Sequence, residues 1–251
     1  MRSKPTNHTN HANFIRLIAA LLFPACLCAA DGEFMLQDGD RIVFLGDSIT
    51  QAASQPEGYI SLFQLFCGVS GYEVSVINAG ISGHKSNDML RRLETDVLAH
   101  DPHWVSVSCG VNDVWHGDRG VPLNEYKRNM TEIVDRIRSG GARVLLLTAT
   151  PIYEDLNSPE NQRLRSYNEF LRQLGAEKDL VLADLFEVFA AFYRLKLNDE
   201  NLLTTDGVHM NPRGNRLMAR EIVRVLGATN RELALAEKRW ELVNNMDGKK
   251  E

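Results

Sequence analysis

The stretch Arg41-Ile-Val-Phe-Leu-Gly46-Asp47-Ser48-Ile49 places four apolar residues ahead of a glycine, an aspartate and a serine. A short apolar run that stops at turn-forming residues reads as a buried strand. The same pattern recurs at 73–78, running into Asn78-Ala79-Gly80, and at 104–108, just before Gly110-Val111-Asn112-Asp113. Two further runs lie at 143–148 and 180–183.

Between these runs the apolar period changes to that of a helix. After Pro122, residues Tyr126, Met130, Ile133, Val134 and Ile137 fall on one face, and Gly140-Gly141 stops the pattern. A second helix is predicted over 86–99, with Met89, Leu90, Leu93 and Val97 inward and Asp101-Pro102 at its end. Others are expected at 59–67, 164–174, 185–195 and 212–226, with a terminal helix over 228–244 that frays at its end. Strands alternating with helices imply an α/β fold, a parallel five-stranded sheet with helices on both faces. Neither a repeat nor a linker divides residues 31–251, so one domain is expected. With 44% hydrophobic and 24% charged residues, the chain has the balance of a globular protein and can fill a sizeable core.

The first 30 residues read differently. Arg2, Lys4 and Arg16 come with no acid, and the apolar stretch that follows ends in Ala29-Ala30 before Asp31. This order predicts a secretory signal peptide over residues 1–30, cleaved after Ala30, and export to the periplasm or the outside. The apolar segment is shorter than the roughly 20 residues of a spanning helix and contains Pro24, so no stable membrane anchor is expected. A lipid on Cys26 is the lesser alternative.

Loss of the three basic residues takes the formal charge from −5 to −8, 25 basic against 33 acidic, which argues against nucleic acid as a partner. Cys67 and Cys109 remain and are expected as buried free thiols, although export would permit a disulfide. A monomer is the default.

In an open parallel sheet the ligand crevice lies beyond the carboxyl ends of the strands. Three peptides, 46–49, 78–80 and 110–113, follow strands and meet at one rim if those strands are neighbours. A serine hydroxyl needs a base within hydrogen-bond reach, and that base needs a group to fix its tautomer. Asp206-Gly-Val-His209 offers both, since an aspartate three residues before a histidine can fold back onto the imidazole. Ester cleavage also needs donors for the developing oxyanion. The candidates are the backbone N–H of Ser48, the backbone N–H of Gly80 and the side-chain amide of Asn112.

With these four blocks in hand (Gly46-Asp-Ser-Ile49, Asn78-Ala-Gly80, Gly110-Val-Asn-Asp113 and Asp206-Gly-Val-His209), the chain resembles the SGNH hydrolases, also called GDSL esterases. The blocks stand in the family's order; Ile49 replaces the usual leucine. The resemblance implies a flavodoxin-like three-layer α/β/α sandwich, a triad of Ser48, Asp206 and His209, and an oxyanion hole from Ser48, Gly80 and Asn112. It implies a serine esterase working through an acyl-serine intermediate on small-molecule or glycan esters, with no metal or organic cofactor. Short-chain or acetyl esters on carbohydrate are favoured, and lysophospholipase or thioesterase chemistry is the alternative within the family.

Blander readings stand beside these. Ser48 is alternatively a helix cap, Asp184 a rival partner for the histidine, Gly80 a turn glycine and Asn112 a turn residue bonded to backbone. Asp47 and Asp113 are expected to hold loops. Trp115 and Tyr153 are candidate walls of the substrate pocket, or aromatics that close loops onto the core. A metal-dependent phosphoesterase using Asp47, Asn112, Asp113, Asp206 and His209 is the alternative chemistry, and a non-catalytic glycan-binding module the alternative class. The Gly-x-Ser-x-Gly elbow of ordinary α/β-hydrolases is absent.

Overall fold

Five parallel strands form the sheet: β1 (Arg41–Gly46), β2 (Ser75–Gly80), β3 (Trp104–Ser108), β4 (Arg143–Leu147) and β5 (Val181–Ala183), in the order β2-β1-β3-β4-β5. This computed structural model describes residues 33–195 and 202–247; residues 33 onward make one unit, and the expected leader over residues 1–30 lies outside the described residues.

Central position explains the composition of β1. Ile42, Val43, Phe44 and Leu45 are buried on both faces, so the run is continuously apolar rather than alternating. On one face Phe44 meets the rings of Tyr59 and Phe63 at centroid distances of 6.0 and 5.4 Å. Strand β2 starts two residues later than its sequence suggests. Glu73 is held instead against the turn at Asp38-Gly39, its N–H donating to Asp38 Oδ1 and its carbonyl accepting from the Gly39 N–H.

The helices are α1 (Ser48–Ala52), α2 (Tyr59–Ser70), α3 (Ser86–Asp96), α4 (Val111–Trp115), α5 (Leu123–Ser139), α6 (Pro159–Glu177), α7 (Leu185–Arg194), α8 (Pro212–Val225) and α9 (Asn230–Asp247). From β1 the chain moves one way to β2 and then the opposite way through β3, β4 and β5. Right-handed crossovers therefore put α2 on one face and α3, α5 and α6 on the other. Helices α8 and α9 pack on α2, and α3 and α6 pack on α5, completing the expected three-layer α/β/α sandwich. All five apolar positions of the 3.6-residue pattern in α5 are buried.

Some bounds differ from the sequence expectation for local reasons. Helix α3 stops at Asp96, where Val97 leaves helical geometry, and a 3₁₀ turn at Leu98–His100 leads to Asp101 in left-handed conformation before Pro102. Helix α6 begins five residues early, with Ser158 as its cap and Pro159 in the first turn. Cys67 and Cys109 are free and buried, and burial pushes the Cys67 thiol up to about 12. Among the described residues, no helix is long and apolar enough to cross a membrane.

Candidate active site

Gly46 and Gly80 pair in register at the ends of β1 and β2, and β3 ends beside them, so the first three peptides reach the same rim. The chain turns from β1 directly into α1. Asp47 is the cap of this helix, its Oδ1 accepting the Ile49 N–H at 2.9 Å. The alternative reading of Ser48 as the cap is thereby corrected: Ser48 is the first helical residue, and its hydroxyl is left to other partners. The Ser48 N–H, an orphan of the first turn, meets no acceptor among the described residues.

Strand β2 holds α1 in place. Asn78 Nδ2 donates to Thr50 O and to Ser54 Oγ, each at 2.8 Å, taking up a carbonyl at the helix end. Gly80 lies so close to α1 that a Cβ there would collide with the backbone nitrogen of Gln51. Its lack of a side chain thus serves helix-on-strand approach. The Gly80 N–H donates to Asn78 Oδ1 at 2.8 Å, so any further acceptor must share it.

The Asp206 and His209 peptide forms the tip of a small hairpin. Thr204 and Met210 bridge antiparallel, and the Thr205 N–H donates to His209 O at 2.8 Å. Gly207, at φ +90°, allows the turn between them. Asp206 Oδ1 accepts the Val208 and His209 N–H groups at 3.0 and 2.8 Å, and Oδ2 lies 2.6 Å from His209 Nδ1. Partial desolvation pushes this carboxyl up, but the His209 N–H, the His209 ring and the Val208 N–H outweigh it and hold it below the usual carboxylate range. With Nδ1–H donated to Asp206, the imidazole presents Nε2 as an acceptor, 2.9 Å from Ser48 Oγ. Residues 161 positions apart in sequence thus form one hydrogen-bonded line, Ser48–His209–Asp206. The rival Asp184 is engaged elsewhere, accepting from Thr148 Oγ1, from Arg172 at 2.7 and 3.1 Å, and from the Glu187 N–H as cap of α7.

The third peptide sits beneath this line. Asn112 Nδ2 donates to His84 O at 3.1 Å and makes a longer 3.4 Å contact with Asp47 Oδ2. Asp113, in α4, ties that helix to the start of α3, accepting from the Ser86 hydroxyl at 2.6 Å and the Ser86 N–H at 3.0 Å, and it accepts from Cys109 Sγ at 3.4 Å. Burial is the main cause that pushes the Asp47 carboxyl up to about 6, and Asp113 is raised by burial as well. Asp47 and Asp113 are thus bonded to the starts of α1 and α3, the structural kind of part expected of them. Among the described residues, no three His, Cys, Asp or Glu side chains converge as a metal cage.

Trp115 and Tyr153 are 36% and 40% exposed, and Trp115 Nε1 donates to Tyr153 Oη at 3.0 Å. They form one aromatic ledge rather than loop-closing core. Tyr153 lies on the hairpin tip, its N–H donating to Gly207 O at 2.6 Å. Two residues here escape sequence reasoning. Glu154 accepts the N–H groups of Leu202, Leu203 and Thr204, and buried Asn161 holds the loop by bonding Ile152 N, Ile152 O and Asp155 O. Neither carries a motif, because all but one of their partners, the Thr204 hydroxyl, are main-chain groups. Asn161, near the start of a helix that itself opens with Ser158-Pro159, is the one with a local signal.

Comparison with known proteins identifies the family. Residues 44–217 match the GDSL-like Lipase/Acylhydrolase family. The acetylxylan esterase of Geobacillus stearothermophilus is 29% identical over 209 residues, covering 75% of this chain and 94% of that protein. Its crystal structure superimposes with a TM-score of 0.71 at 26% identity, over 78% of this chain and 97% of that one. The crystal structure of a second acetyl xylan esterase gives 0.68 at 34% identity, over 72% and 97%. The chain belongs to the GDSL-like lipase/acylhydrolase family, the SGNH esterases, and is an enzyme that hydrolyses ester bonds.

Proposed function

We propose that Ser48 is the nucleophile, His209 the general base and Asp206 the group that orients it, in an enzyme that removes acetyl groups from carbohydrate. The observation that carries this is the 2.9 Å approach of Ser48 Oγ to an imidazole whose other nitrogen is held at 2.6 Å by a carboxylate. As Ser48 Oγ attacks the ester carbonyl carbon, its proton passes to His209 Nε2. Collapse of the tetrahedral adduct breaks the bond to the alcohol, which leaves with that proton. Water then attacks the acyl-serine, gives a proton to His209, and acetate departs as the proton returns to Ser48 Oγ.

The Ser48 N–H and the second hydrogen of Asn112 Nδ2 are the better-placed donors for the oxyanion, since the first has no partner among the described residues and the second only a 3.4 Å contact. Gly80 contributes by bifurcation from Asn78. The Trp115–Tyr153 ledge, exposed and resting on the hairpin tip, suits stacking against a sugar ring. Both xylan esterases named above act on acetylated carbohydrate by their names. We assign export to residues 1–30, which places the enzyme where such polymers are met.

Hydrolysis of p-nitrophenyl acetate, butyrate and octanoate, with acetate release from acetylated xylo-oligosaccharides, tests this reading. Ser48→Ala should lose at least ~1,000-fold in kcat, and wild type should prefer acetate to octanoate. Equal rates for the two proteins would remove the nucleophile assignment, and a preference for octanoate would remove the acetyl assignment.

A further inference from the structure

The hairpin that carries Asp206 and His209 projects from the rim as an exposed tip, and something must fix its N-terminal leg. Four donors converge on one side chain there. Glu154 Oε2 accepts the Leu202 N–H at 2.7 Å; Oε1 accepts the Leu203 N–H at 2.8 Å, the Thr204 N–H at 2.9 Å and the Thr204 hydroxyl at 2.8 Å. Thr204 Oγ1 in turn accepts the Gly207 N–H at 3.2 Å, inside the turn between Asp206 and His209. Only an acceptor with no hydrogens of its own satisfies all four donors, because a glutamine amide would turn its NH₂ against an N–H. The distances are those of charge-assisted bonds. No ion pair among the described residues includes Glu154, whose charge acts on this leg and on the nearby Tyr193 hydroxyl.

The preceding residue ties the same loop to the tip. Tyr153 takes φ +57°, a left-handed conformation that costs a non-glycine residue roughly 1 kcal/mol. It is held there by the bond from its N–H to Gly207 O. Residues 153 and 154 thus grip the hairpin at its tip and at its base.

We propose that Glu154 is a positioning residue for the Asp206–His209 pair, setting through Thr204 and the turn the register at which His209 Nε2 meets Ser48 Oγ. This rests on the triad assignment above. Hydrolysis of p-nitrophenyl acetate is measured on the full chain for wild type, Glu154→Ala, Asp206→Ala and the double variant, with Ser48→Ala as control and thermal unfolding in parallel. Glu154→Ala should lower kcat roughly 30-fold with KM within about 2-fold. Once Asp206 is alanine, the same change should cost less than about 3-fold. A rise in KM with kcat intact, or equal losses in both backgrounds, overturns the proposal. If Glu154→Ala does not fold, Glu154→Gln replaces it, with a loss of roughly 5-fold expected in the wild-type background and none beside Asp206→Ala; equal losses again overturn it. A fully active Ser48→Ala overturns the triad assignment and this proposal together, whereas equal losses beside an inactive Ser48→Ala overturn this proposal alone.

Discussion

Asp47 is sealed from solvent directly before Ser48, and its neighbours decide its ionisation. The Ile49 N–H favours the charged form, while burial, the largest influence, and the nearby Asp113 oppose it, leaving the carboxyl at about 6 against an ordinary 3.8. Because the folded value is raised, the proton stabilises the fold. The contribution is whole below pH 3.8, where both states are protonated, and is lost as pH rises from there through about 6. That difference corresponds to about 3 kcal/mol as an order of magnitude. Asp47→Asn keeps an oxygen for the Ile49 N–H and removes the titration. Relative to wild type, the variant should therefore gain about 2–3 kcal/mol between pH 4 and pH 7.5, read from urea unfolding at the two pH values. A difference that does not change with pH would show that Asp47 does not titrate in this window. At pH 7.5 the same substitution should lower kcat about 10-fold, since Asn112 then faces an amide NH₂ where it now contacts a carboxylate.

Helix α1 spans only five residues, and its position is set from outside by β2. The Gly80 site shows how tightly, because the atoms that a Cβ would meet are the backbone of Thr50 and Gln51, which no rotamer change can move. Gly80→Ala should destabilise by about 1–3 kcal/mol and lower kcat further, because Ser48 moves with the helix. Gly68→Ala in α2, where a Cβ meets nothing within 4 Å, should be neutral or stabilising by up to about 1 kcal/mol. Thermal unfolding of the pair checks both signs. The contrast between these elements also explains what could be read in advance. Helix α5 offers nearly five turns of apolar period, and β1, β3 and β4 offer buried runs, so all four stand out in the sequence. Helices α1 and α4 have five residues each, too few for a period to show. The four peptides of the site are visible because side-chain chemistry names them. Glu154 and Asn161 are not, since all but one of the groups they bind are main-chain N–H or carbonyl groups, which look the same under every residue.

At the scale of the whole molecule, the rim that bears Ser48 is assembled from loops and two short helices, while the layers beneath keep them at fixed heights. The face built from α2, α8 and α9 is joined to the site through Tyr59, whose hydroxyl meets Thr50 Oγ1 at 2.9 Å and whose N–H donates to Asn215 Oδ1 in α8. Helix α9 adds Trp240, fully buried, with Nε1 donating to Leu62 O at 3.0 Å and its own carbonyl accepting from Arg216. Its main packing is on α2 and α8, so α9 acts as a cover for this layer. Stability and catalysis should therefore separate here. Trp240→Ala should cost about 3–5 kcal/mol, seen as a lower urea midpoint, while kcat at 20 °C in the still-folded fraction stays within about 2-fold of wild type. A loss of kcat comparable to that of Gly80→Ala, in protein that remains folded, would mean that the terminal helix reaches the chemistry through α2 and Tyr59, and that the layer and the rim are one mechanical unit.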